Sequence, residues 1–107
     1  MARTPRMAQI EALLADDPGD AFLKYGLAME YVSAGDDATA ARHLSELITA
    51  TPENPYVPAF LMAGQILNRL GRVPEACDVL RKGIDAARAV GNDHARGEME
   101  GLLTSIE

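Results

Sequence analysis

Two stretches of this chain echo each other across 36 residues. Ala28, Tyr31, Gly35, Ala40, Leu44 and Ile48 are answered in order by Gly64, Leu67, Gly71, Ala76, Leu80 and Ile84, each pair alike in size class or identity. This echo constrains the fold more than any other property. A unit of that length is too small to bury its own apolar face and must stack on a neighbour. The pattern therefore leads to a stack that displays a surface and away from a closed pocket that performs a reaction.

The punctuation between the echoing positions is helical. Thr4-Pro5 reads as an N-cap followed by proline at the first helical position. Met7, Ile10, Leu13 and Leu14 then recur at helical spacing until Asp16-Asp17-Pro18-Gly19-Asp20 interrupts them. Ala21 to Ala34 is apolar almost all the way round and ends at Gly35-Asp36-Asp37. A helix from about Ala38 to Ala50 follows, and Pro52 to Pro58 reads as a stiff connector because proline fixes φ and restricts its predecessor. Ala59 to Leu70 and Pro74 to about Val90 repeat the pair around Gly71. Gly91-Asn92-Asp93 ends one helix and caps the next, about His94 to Ile106, with Ala95, Met99, Leu102, Leu103 and Ile106 on one side. No segment alternates with period two for long enough to be a strand.

Composition narrows the function classes. With 107 residues there is room for one small domain, and 5% aromatic content without Trp requires a core of Leu, Ala, Ile, Met and Val. A formal net charge of −6 disfavours nucleic acid and anionic membrane as partners. The charge is uneven: residues 11–53 carry nine acids against Lys24 and Arg42, while residues 69–96 carry six bases against four acids. Two solvated faces of opposite bias account for this, and head-to-tail association is the sharper alternative. The single cysteine, Cys77, forms no internal disulfide, which fits a reducing compartment. Without a long apolar run or an export signal, the expected location is cytoplasmic.

These residues resemble the tetratricopeptide repeat (TPR) family, whose unit is a 34-residue helix–turn–helix. In the first copy Leu27-Ala28 and Tyr31 stand where the family has Leu-Gly and Tyr. Gly35 lies in the turn, Ala40 with Leu44 forms the small-then-large pair, and Pro52 ends the unit. Lys24 departs from the usual bulky aromatic. The second copy offers Phe60, Ala63-Gly64, Leu67, Gly71, Ala76 and Leu80, with Arg88 in place of the closing proline. Pro55-Tyr56 looks like an insertion of two residues that stretches the family's period to the observed 36. Ile10, Leu13, Leu14 and Pro18 sit where Leu44, Leu47, Ile48 and Pro52 would fall one unit earlier. The resemblance thus implies one domain over residues 1–107, with a half-repeat helix at 4–17, repeats at 21–54 and 57–90, and a closing helix at 93–106. The expected fold is all-α, a right-handed α-solenoid of about six antiparallel helices. Ala28, Gly64, Ala40 and Ala76 would be small because paired helices cross closely there.

The resemblance also implies a protein or peptide partner held on the concave surface lined by the first helix of each unit. Leu27, Ala28 and Tyr31 are committed to packing, which leaves Phe22, Tyr25, Met29 and Val32 as a second stripe at spacing three, four and three. The paired helix offers Pro58, Leu61, Gln65 and Asn68. The candidate peptide-binding residues are therefore Phe22, Tyr25, Met29, Val32, Leu61, Gln65 and Asn68, apolar at one end and amide-lined at the other. A helix apolar all round is normally buried, so the terminal helices or a second copy covering the stripe is the opposing expectation. A homodimer that buries the stripe is accordingly the alternative function. Family members that grip a C-terminal carboxylate use Lys and Asn, whereas Tyr25, Met29 and Met62 occupy those positions here, so that specialisation is not expected.

Chemistry has few candidates. His43 reads as a structural histidine and His94 as a solvated helix-start residue, with no second ligand at metal spacing. Cys77 reads as a packed apolar residue, and Asp16-Asp17 and Asp36-Asp37 as turn and capping carboxylates. There is no phosphate loop, nucleophile elbow or stacked-aromatic basic patch. The expectation is a non-catalytic adaptor without catalytic residues, metal or cofactor.

Overall fold

The computed structural model describes residues 3–107. Their order is α1 (Pro5–Asp16), α2 (Ala21–Ser33), α3 (Asp37–Ala50), α4 (Val57–Arg69), α5 (Val73–Val90) and α6 (Asp93–Ile106), with no strand among them. The helix starts follow from local chemistry. Thr4 Oγ1 accepts the Met7 amide at 3.1 Å, Asp20 that of Leu23 at 3.0 Å, Asp36 that of Thr39 at 3.2 Å, and Asn92 that of Ala95 at 3.1 Å. Gly35 and Gly71 leave α2 and α4 with φ of 80° and 77°, where a Cβ would be strained.

Two apolar clusters form the core. Ala28, Ala40, Leu44, Leu47, Ala63 and Ile66 join α2, α3 and α4; Val57, Phe60, Leu80, Ile84, Ala87 and Met99 join α4, α5 and α6. Ile48 and Val79 pack against both clusters and make the stack continuous. The small residues mark the crossings, as their spacing requires. Ala28, Ala40 and Ala76 are wholly buried, and a Cβ on Gly64 would lie 2.5 Å from Leu80 Cδ2. A second close approach had no signal in the echo: a Cβ on Gly83 would lie 2.5 Å from both Met99 Sδ and Phe60 Cβ.

One expectation needs correction, and two helices bury less than their apolar content. Val57 and Pro58 belong to α4 and not to the connector, because proline is tolerated in the first helical turn. Helix α1 buries only Met7: Leu13 is 53% exposed, whereas Leu47, its counterpart, is 1% exposed. The reason is packing, since α1 rests on α2 whereas α3 is held by both α2 and α4. Helix α2, apolar nearly all round, nonetheless buries just Leu27 and Ala28.

Candidate functional site

Capping by Asp20 fixes the phase of α2, and burial of Leu27 and Ala28 then decides which way the other apolar residues point. Phe22 stands 70% exposed at the start of the helix. Tyr25, Met29 and Val32 follow half-buried along the same stripe. Ile10 and Leu13 of α1 line a shallow groove together with Phe22. Tyr25 and Val32 lose part of their exposure to the first core cluster.

Tyr25 also packs on Tyr56, with ring centroids 5.3 Å apart and planes tilted by 46°. Partial burial, and secondarily the neighbouring Tyr56 phenol, raise the Tyr25 pKa above its ordinary value. It remains a neutral phenol, able to donate a hydrogen bond, throughout the neutral range. Tyr56 is the site-face residue that sequence reasoning missed. Its signal was present, for it is half of the Pro55-Tyr56 surplus between the echoing units.

On α4, Leu61, Gln65 and Asn68 are half-buried. Leu61 leans on the second cluster, while the Gln65 and Asn68 amides make no side-chain hydrogen bond among the described residues. Neither amide is sealed from solvent, because no buried side-chain nitrogen or oxygen lacks a partner. Next to Asn68, Arg69 is engaged elsewhere: its Nε and Nη2 donate to the two Asp37 carboxylate oxygens at 3.1 and 3.0 Å, tying α4 to the start of α3. Helix α2 thus offers apolar side chains, and α4 offers two amides without a side-chain hydrogen bond among the described residues.

A separate groove lies elsewhere. A cavity of about 770 Å³ opens between α3 and α5, floored by Ala63 and Leu67 of α4. Small residues on α3, Ala38, Ala41 and Ser45, leave the room for it. Its charged walls are already paired, Arg42 with Glu46 at 3.4 Å, Arg72 with Glu75 at 2.6 Å and Asp78 with Lys82 at 3.1 Å. The groove has volume but few unspent groups.

The isolated chemical candidates resolve into structural roles. His43 stacks on Tyr31 at 5.0 Å and 18°; partial burial, then the charge of Arg42, lower its pKa. Its neutral ring is part of the packing. His94 is 89% exposed and meets Glu98 at 2.9 Å. Cys77 is buried in α5. Asp36 caps α3, and hydrogen bonding from the Thr39 side chain, then from its backbone amide, lowers its pKa; Asp37 holds Arg69, while Asp16 and Asp17 end α1. Among the described residues no three His, Cys, Asp or Glu side chains converge as metal ligands, and no helix is long and apolar enough to cross a membrane.

Comparison with known proteins gives a consistent set of likenesses. No family profile matches the chain. A Pseudomonas aeruginosa protein described as TPR repeat-containing is 28% identical over 98 residues, covering 92% of this chain and 91% of that relative. The crystal structure of a tetratricopeptide repeat domain protein from Salinibacter ruber superposes with a TM-score of 0.75 at 28% identity, covering 81% of this chain and 94% of that one. A solution structure of a tetratricopeptide repeat domain protein from the same organism gives 0.77 at 29% identity, covering 84% and 89%.

Proposed function

This chain is a tetratricopeptide-repeat protein, and we propose that it is a non-catalytic adaptor that holds an extended peptide segment across the outward face of α2 and α4. Proteins of this kind are generally interaction modules without catalysis. In this reading the chain is one domain: a leading half-unit, two full units and a closing helix.

The observation that carries the reading is the unspent chemistry of that face. Phe22 is mostly exposed, Tyr25 and Met29 offer large, adaptable contact, and the Gln65 and Asn68 amides have no partner among the described residues. Bulky apolar side chains of the peptide lie along Phe22, Tyr25, Met29 and Val32, with Leu61 continuing the strip, and the peptide backbone bonds Gln65 and Asn68. The groove between α3 and α5 is the weaker candidate because its charges already satisfy one another.

The test is selection of binders from a displayed random-peptide library, followed by calorimetry. Selected peptides should carry spaced apolar side chains and lose about tenfold or more in affinity against Tyr25→Ala/Met29→Ala, the scale expected when anchor residues are truncated. Binders that keep full affinity for that double variant contradict the proposed face.

A further inference from the structure

The outer face of α1 is built in an order that a lone helix does not favour. Arg6, Gln9, Leu13 and Asp16 recur at spacing three, four and three, so they share one stripe, and all are exposed. The first turn of α1 has no acid and the last has no base; Arg6 sits at the start, Asp16 and the capping residue Asp17 at the end. This places positive charge at the positive end of the helix macrodipole and negative charge at the negative end. Arg6 meets Glu30 at 3.3 Å yet keeps 74% of its side chain exposed.

Apolar surface occupies the middle of this stripe. Leu13 is 53% exposed and Phe22 70%, and the two line a shallow groove of about 390 Å³ with Ile10, Leu23 and Gly26. The sequence of groups along the stripe is basic, apolar, acidic. A second α1 laid antiparallel would set Arg6 against Asp16 and Asp17, Gln9 beside Leu13, and each helix dipole against its opposite. The stripe is its own complement under a two-fold axis, the geometry of an isologous dimer.

The other end of the stack does not offer an equivalent surface. Arg96 and Glu100 of α6 stand 36 residues after Phe60 and Gly64, the positions where α4 receives Leu80 and the α5 backbone. They form an ion pair with each other, and a charged pair at a close crossing resists a further helix. Head-to-tail stacking would need α6 to accept α1, and its Arg96–Glu100 surface opposes that.

We propose that a second copy of this chain occupies the α1 stripe, pairing antiparallel through Arg6, Gln9, Leu13, Asp16 and Asp17 with Phe22 seated in the partner's groove. This goes beyond peptide binding and uses a different face, Phe22 being the one shared residue. Sedimentation velocity from about 10 μM to about 1 mM spans the range where an interface of modest size shows both species. The expected result is a concentration-dependent dimer that weakens with salt. Leu13→Arg should abolish it, and Arg6→Glu should weaken it about tenfold, within reach of one lost charge contact and one new repulsion. Combining Arg6→Glu with Asp16→Lys and Asp17→Lys should restore it, because the reversed stripe is again self-complementary. A monomer throughout the range, a dimer that persists in Leu13→Arg, or failure of the triple reversal to recover would each overturn the proposal. Peptide affinity measured on Leu13→Arg at dilutions where the wild type is itself monomeric separates the two ideas, since there it should equal the wild-type value.

Discussion

The helix pairs α2–α3 and α4–α5 occupy the same period, since α2, α4 and α6 start at residues 21, 57 and 93, but they spend it differently. In the first pair α3 has 14 residues and the surplus goes into the connector of residues 51–56. There it delivers Tyr56 onto Tyr25. In the second pair α5 extends to 18 residues, and its last turns bury Ala87 and support α6. One surplus shapes a face; the other lengthens the core. The crossings differ as well, with Ala28 in the first pair and Gly64 in the second. Equal spacing in a repeat therefore does not mean equal roles for equal positions.

The largest expected effects break this comparison at the crossings. Gly83→Ala and Gly64→Ala should each destabilise by about 1–3 kcal/mol, net of a helix-propensity gain of about 1 kcal/mol, because the added methyl meets buried Phe60, Met99 or Leu80. Ala28 already accommodates such a methyl in the first pair, so tolerance of Gly64→Ala in urea titrations would mean that the two crossings are equally open. Next come the turns, where the pairs should agree. Gly35→Ala and Gly71→Ala should each cost about 1–2 kcal/mol, since both glycines have positive φ and space for the methyl. Tyr56→Ala should cost about 1 kcal/mol or less from the lost ring contact, and it should also weaken peptide binding by altering Tyr25.

A smaller effect comes from pH. His43 has a folded pKa below its ordinary 6.5, so the native state binds its proton less readily than the unfolded chain. Its contribution is full above about 6.5 and is lost as pH falls from there through the lowered native value. The urea midpoint should fall on acidification through this window, and His43→Gln should flatten part of that fall. Phe22→Ala should be the smallest, within about 0.5 kcal/mol, because the ring is mostly exposed. A cost equal to that of Gly64→Ala would make Phe22 core and remove it from the site.

What was legible in the sequence is what local chemistry fixes. Thr4-Pro5, Gly35, Gly71 and Asn92 announced helix ends because caps and positive φ depend on single residues. Ala28, Ala40, Ala76 and Gly64 announced crossings because they are small at matching positions. The exposure of Leu13 was not legible, since helical spacing finds an apolar residue but not the neighbour that covers it. The Tyr25–Tyr56 contact and the groove between α3 and α5 depend on how the connector folds back and how far helices stand apart. Neither distance is written in a period.

The central claim is that binding uses the face of α2 and α4 and not the groove between α3 and α5. Amide chemical-shift mapping of the labelled protein with a selected peptide tests it most directly. The account predicts shifts at Phe22, Tyr25, Met29, Leu61, Gln65 and Asn68, with Arg42, Glu46, Asp78 and Lys82 unmoved. Shifts concentrated on those last four residues would place the peptide between α3 and α5 and contradict the account.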